Sequence, residues 1–241
     1  MLLKDWARKI LNFLHLDLTK NLKYDRLTKR VVAKVLNANS TCVDVGCHKG
    51  EILDLFLEKS PNGNHFCFEP LPHLNQQLQL KYGKTNRIFS CALSETEGKT
   101  TFNYVKNAPA YSGIKQRRYD IDNPQIEVID VELKTLDSIV GEQEKIDLIK
   151  IDVEGAELGV LKGAKKTLMR CKPVVIFECG IGASEFYGTK PDDMFNFLTD
   201  VIGLNISLLN RWLANEKPLS KEEFDSAFEN NTDYYFIAYP Q

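Results

Sequence analysis

The feature that most constrains this chain is the alternation of short β-like runs with helical stretches, two of the runs ending in acidic, glycine-containing turns. Thr41–Val45 leads into a helix over about Glu51–Lys59, and His65–Glu69 into one over about Pro72–Tyr82. Asn86–Leu93 reads as a third strand. Ile146–Asp152 precedes a helix across Glu157–Met169, and Pro173–Glu178 precedes one near Asp192–Val201. Alternation at this pitch predicts a parallel sheet covered by helices on both faces. Asn205–Leu209 and Tyr234–Tyr239 follow without a regular crossover helix, which suits an antiparallel terminal pair. Between the third and fourth strands, Thr100–Val105 and Ile126–Leu133 alternate as a hairpin or sheet extension would. Lys106–Gln125 joins them, a polar segment with Tyr111, Ser112, Lys115, Arg117 and Arg118. A loop that long in a compact domain is often functional, and a lid or recognition loop is expected.

Composition narrows the partners. The 241 residues carry a formal net charge of −2, which offers no broad footprint for nucleic acid. No run of about 18 apolar residues exists, so no membrane span is expected. Leu3, Trp6, Ala7, Ile10 and Phe13/Leu14 fall at helical spacing. Residues 1–30 therefore read as a helical appendage to a domain over 31–241. Residues 1–18 leave room for a membrane-surface or dimer contact, but their charges interrupt any secretory h-region. The cysteines at 42, 47, 67, 91, 171 and 179 form no C-x-x-C pair. They read as buried thiols in a reducing, cytoplasmic setting, and no metal is expected.

In an open α/β sheet, ligands lie outside the carboxyl ends of the strands, where strand order reverses. The first strand delivers Asp44, Gly46 and Gly50 there, in Val43-Asp44-Val45-Gly46-Cys47-His48-Lys49-Gly50. The turn lacks the second glycine of G-x-G-x-x-G, which disfavours a nicotinamide or flavin dinucleotide. It suits a cofactor without phosphates whose zwitterionic end meets a carboxylate and backbone groups. Gly46, lacking a Cβ, would let backbone approach that ligand. Glu69 ends the second strand twenty-three residues beyond Gly46. An acid about 20 residues on is placed to accept from ribose hydroxyls. Ala92 and Leu93 would flank a purine. Lys150 and Asp152 share a strand face by the period of two, and Asp152 points into the site. Glu154 and Glu157 suit either the site or a helix N-terminus, and Glu178 adds an acid to the same edge.

Val43–Gly50, the Phe68-Glu69-Pro70 triplet, Thr135-Leu136-Asp137 and, most specifically, Lys150-Ile151-Asp152-Val153-Glu154-Gly155-Ala156-Glu157 resemble the FkbM family of class I S-adenosylmethionine-dependent methyltransferases. The family's first turn reads nearer D-V-G-A-N-x-G; here Cys47 and His48 stand instead. The resemblance implies a Rossmann-like, seven-stranded, mostly parallel sheet with an antiparallel last strand. It also implies methyl transfer from S-adenosyl-L-methionine to a hydroxyl of a sugar, glycan or natural product. Asp44, Gly46 and Gly50 would then surround the methionine end, Glu69 the ribose, and Ala92/Leu93 the adenine. Asp152 and then His48 are the candidate general bases, with Asp152 alternatively holding the cofactor's ammonium. A catalytically silent cofactor-binding module is the competing function.

Overall fold

The structure, a computed structural model, describes residues 20–119 and 121–241. The helix expected over residues 1–18 lies outside them. Ten strands and nine α-helices are present among the described residues. The strands are β1 (Cys42–Val45), β2 (Phe66–Phe68), β3 (Arg87–Phe89), β4 (Ala92–Leu93), β5 (Gly98–Val105), β6 (Ile126–Lys134), β7 (Leu148–Ile151), β8 (Val174–Glu178), β9 (Leu204–Leu208) and β10 (Tyr235–Pro240). The helices are α1 (Lys20–Val35), α2 (Glu51–Lys59), α3 (Pro72–Tyr82), α4 (Leu136–Ile139), α5 (Glu157–Gly163), α6 (Lys165–Cys171), α7 (Pro191–Asn196), α8 (Leu209–Leu213) and α9 (Lys221–Glu229).

Seven strands form the main sheet in the order β3-β2-β1-β7-β8-β10-β9. All neighbours are parallel except β10, which runs antiparallel to both β8 and β9. The expected Rossmann-like sheet with an antiparallel final strand is therefore present. The chain winds outward from β1 to β3 and returns to β7 on the other side of β1. The crevice beyond β1 and β7 is thus the switch point of the sheet. Both strands are buried along their whole length, which explains why they read as unbroken apolar runs around Asp44 and Lys150.

Side chains alternate between two cores. Cys42, Leu148, Ile176 and Ile237 face Tyr24, Leu27 and Val31 of α1, Phe56 of α2 and Leu209 of α8. Val43, Val45, Ile149, Ile151, Val175, Phe177 and Phe236 face the opposite way, toward Leu158, Leu161, Leu168, Leu198 and Phe224. Helix α1 runs through residue 30 and contributes fully buried Val31 and Val32.

Three local departures have physical reasons. The third strand divides at Ser90–Cys91: β3 pairs with β2, whereas β4 leaves to pair with β6 in a second sheet ordered β4-β6-β5. The helix expected over Glu157–Met169 breaks at Ala164. There Asp137 accepts from the backbone N–H of Lys166 and Thr167, at 2.8 Å each, and starts α6. Helix α9 starts in a capping box between Ser220 and Glu223.

Candidate functional site

The turn after β1 is tied to both neighbouring strands. Gly46 and Cys47 donate their N–H to Phe68 O at 3.0 and 3.1 Å, and Asp152 N donates to Val45 O at 3.0 Å. Gly46 has φ +82°, and a Cβ there would lie 2.0 Å from the Asp152 backbone oxygen. This glycine is thus required so that the β1 and β7 turns can touch, and it also lines the clefts beyond them. Gly50, at φ +81°, starts α2, and a Cβ would press on Tyr82 and Leu78 at 2.8 and 2.9 Å. Its place is in the packing of α2 on α3, away from the cleft walls.

Two clefts meet at these turns. The narrower is lined by Val45, Gly46, His48, Phe68, Glu69, Leu71, Ala92, Leu93, Phe102, Pro109, Ala110, Ser112, Ile114, Asp152 and Glu154, among others. The wider lies on the α1 side and includes Tyr24, Asp25, Lys49, Tyr111, Arg117, Arg118, Lys150, Glu178, Tyr234 and Tyr235. Gly46, His48, Ala110, Asp152 and Glu154 line both, marking the junction. His48 and Glu154 hold φ of +49° and +60° there. Non-glycine residues in this region cost of order ~1–3 kcal/mol and cluster where the fold over-determines a functional geometry.

Glu69 is buried in the wall of the narrow cleft. Its Oε2 accepts the His48 N–H at 2.8 Å and its Oε1 accepts the Leu71 N–H at 2.9 Å. One donor per oxygen fixes the carboxylate and leaves lone pairs for further donors. Burial pushes its carboxyl up to about 7, against the pull of those two N–H groups. Ala92 and Leu93 line the same cleft from β4, so their place comes from the second sheet.

Asp44 lies beneath the turn, fully buried, and neither carboxylate oxygen has a hydrogen-bond partner. Burial pushes it up to about 6, moderated by the Lys150 ammonium, its in-register neighbour on β7. Sequence reasoning placed Asp44 around the cofactor; in the structure it supplies charge from behind, and neither cleft is lined by it. Beside it, Cys47 Sγ donates to Asp44 O at 3.3 Å, and burial drives that thiol well up.

Asp152 sits at the junction. Its Oδ2 accepts from Lys150 Nζ at 2.8 Å and from the Tyr235 hydroxyl at 2.6 Å. Burial opposes its ionisation, but the Lys150 charge and these donors prevail and hold the carboxyl below its usual range. Burial likewise opposes the Lys150 charge, and Asp152 and Asp44 more than offset it. The surrounding acids shift the other way: burial pushes Glu154 up to about 8, Glu157 to about 7 and Glu178 well above its ordinary value. Glu157 accepts from Val153 N and Gly155 N, at 3.0 and 3.2 Å, which shapes the turn itself. His48 is lowered by burial and by Lys49, which favours its neutral imidazole.

Residues of the segment expected as a lid line both clefts. Its Arg117 pairs with Glu154, reaches Gly182 O and lies over the Tyr111 ring, 5.0 Å from its centroid. The Lys115 N–H donates to the Tyr187 hydroxyl at 3.0 Å. Arg117 is therefore committed within the protein. Tyr235 was missed as a site residue, because nothing in a terminal strand's sequence announces a bond to Asp152 eighty-three positions away.

The family described as the methyltransferase FkbM domain matches residues 44–202. The 2-O-methyltransferase NoeI of Sinorhizobium fredii (strain NBRC 101917 / NGR234) is 30% identical over 168 residues, covering 64% of this chain and 68% of that protein. Methyltransferase sdnD of Sordaria araneosa is 30% identical over 160 residues, covering 53% of this chain and 61% of that protein. The crystal structure of methyltransferase FkbM from Methylobacillus flagellatus KT shares the fold, with a TM-score of 0.53 at 17% identity. That likeness covers 85% of this chain and 44% of the other, so the chain spans less than half of that protein's length. With the family match running from Asp44 through both strand-end turns and past Glu178, the chain belongs to the FkbM family of methyltransferases.

Proposed function

We propose that this methyltransferase uses S-adenosyl-L-methionine to O-methylate a hydroxyl of a sugar, glycan or natural product. The observation that carries the reading is Glu69. Its carboxylate stands in the wall of the narrow cleft, one backbone N–H on each oxygen, with lone pairs left for a vicinal diol. The donor set also fits a cation. Asp44 is buried without a hydrogen-bond partner, and Glu69, Glu154, Glu157 and Glu178 are all pushed up by burial. A ligand bearing a sulfonium and an ammonium would favour the ionised forms of these buried carboxyls.

When bound, the cofactor supplies an electrophilic methyl group, so the protein's task is chiefly alignment. Glu69 would hold the ribose, and Leu71, Ala92, Leu93 and Phe102 offer an apolar slot for the base. The acceptor would enter the wider cleft and present its hydroxyl at the junction. His48, whose neutral form burial favours and which lines both clefts, is suited to take the hydroxyl proton. Asp152, held ionised and with Oδ2 engaged, is better suited to orient the hydroxyl than to accept its proton. The pairing of Arg117 with Glu154 in the wide cleft favours a neutral acceptor. The name of NoeI, a 2-O-methyltransferase, supports oxygen as the target. Six free cysteines support a reducing, cytoplasmic location. None of the described helices is long and apolar enough to cross a membrane.

The test is calorimetry with S-adenosylhomocysteine, followed by transfer of labelled methyl to a panel of sugars and hydroxylated natural products. Binding with turnover on a hydroxyl supports the proposal. Binding without turnover on any acceptor would favour a silent cofactor-binding module, and no binding would refute the cofactor.

A further inference from the structure

Two segments outside the family-matching residues 44–202 complete the wide cleft: α1 and the approach to β10. Tyr235 is the residue through which they reach the junction. It lies on β10 directly opposite Glu178 of β8, and its hydroxyl bonds Asp152 Oδ2 at 2.6 Å. Its ring stacks on Tyr24 of α1, with centroids 4.9 Å apart and planes inclined by 21°. Tyr24 is itself fixed by a 2.8 Å bond from its hydroxyl to Asp233. The phenol therefore has little freedom. Because Lys150 Nζ takes the same oxygen, Oδ1 is the Asp152 oxygen without a bond from either donor.

We propose that Tyr235 is a positioning residue for methyl transfer: it fixes the rotamer and charge of Asp152 from the last strand, so that Oδ1 faces the incoming hydroxyl. This rests on the reading of Asp152 given under the proposed function. The effect on Asp152 is measurable without an acceptor. The groups facing Asp152 are Lys150 and Tyr235 as donors, Glu154, Glu157, Asp44 and Glu178 as acids, with the Glu178 carboxyl also hydrogen-bonding Asp152, and the His48 imidazole. Of these, Tyr235 can be altered without changing a charge.

Carboxyl-carbon NMR titration of the aspartates, with the Asp152 resonance identified by its absence in Asp152→Asn, reads the interaction directly. In Tyr235→Phe the Asp152 midpoint is expected to rise by about one pH unit or more, the loss of one charge-assisted hydrogen bond. A midpoint unchanged in a variant that melts like wild type overturns the proposal. Kinetics then separate positioning from direct contact. Tyr235→Phe is expected to lower kcat about tenfold while S-adenosylhomocysteine affinity stays within threefold, as for loss of one such bond in the transition state. Added to Asp152→Asn, it is expected to change kcat less than twofold, because both act through one carboxylate. A tenfold loss that persists in the Asp152→Asn background would show that Tyr235 acts elsewhere. If wild type neither binds S-adenosylhomocysteine nor turns over, the cofactor reading fails, and the titration still decides whether Tyr235 holds Asp152.

Discussion

Replacing Glu69 tests the cofactor cleft with a magnitude that the structure supplies. Its two oxygens each keep one backbone donor, at 2.8 and 2.9 Å, and under the proposed function each would accept one ribose hydroxyl. A hydrogen bond to a charged group contributes ~1.5–3 kcal/mol. Loss of two at the lower value is about 3 kcal/mol, roughly a hundredfold in affinity. Glu69→Ala is therefore expected to weaken S-adenosylhomocysteine binding at least tenfold by isothermal calorimetry. It also strands the His48 and Leu71 N–H groups, so Glu69→Gln, which keeps the shape and one acceptor oxygen, serves as the better-folded control. The pH dependence has a definite sign. Glu69 titrates at about 7 in the folded protein, against about 4.3 in an unfolded chain. Between those values the folded state binds more protons, so Glu69's contribution to stability falls as pH rises through that window. Ribose hydroxyls favour the ionised form, so affinity in wild type is expected to rise from pH 6 to pH 8, and in Glu69→Gln to stay flat. A folded Glu69→Ala protein that binds within threefold of wild type would remove Glu69 from the site.

Other expectations follow from the neighbouring residues. Asp44 titrates at about 6 when folded and its oxygens lack partners, so Asp44→Asn is expected to gain stability relative to wild type as pH rises above about 4. Thermal melts at pH 5 and pH 8 check this, and a stability difference that does not shift toward the variant between the two would contradict it. Gly46→Ala, with its Cβ 2.0 Å from Asp152 O, is expected to melt at least ~10 °C lower or fail to fold, as followed by circular dichroism. Arg117→Met removes a largely buried pairing with Glu154 and the Arg117 contacts with Gly182 O and the Tyr111 ring. Amide exchange over residues 109–118 is expected to quicken at least tenfold, and unchanged exchange would mean that Arg117 does not hold this segment.

Much of the fold was legible because local and global signals agree. The apolar runs at Cys42–Val45 and Leu148–Ile151 are buried on both faces, and their terminal acids mark the switch point. Glu69, His48, Ala92, Leu93 and Asp152 all line one cleft, as strand-end geometry suggested. The departures arise where a residue answers to a partner far away in sequence. Gly46 reads as space for a ligand but is demanded by the Asp152 carbonyl. Asp44 reads as a ligand contact, yet its place on the inward side of β1 turns it toward Lys150. Asn86–Leu93 has the composition of one strand, but β6 offers Ala92 and Leu93 a second sheet. The Arg117–Glu154 and Tyr235–Asp152 bonds span loops and strands whose approach no periodicity encodes.

The most direct measurement is a crystal structure of the protein with S-adenosylhomocysteine. The expected result is the ligand in the narrow cleft, both ribose hydroxyls within hydrogen-bond distance of Glu69, the base against Ala92 and Leu93, and the sulfur at the junction beside His48 and Asp152. A ligand seated wholly in the wide cleft, with Glu69 still bonded only to His48 and Leu71, would contradict the assignment of that cleft to the methyl donor.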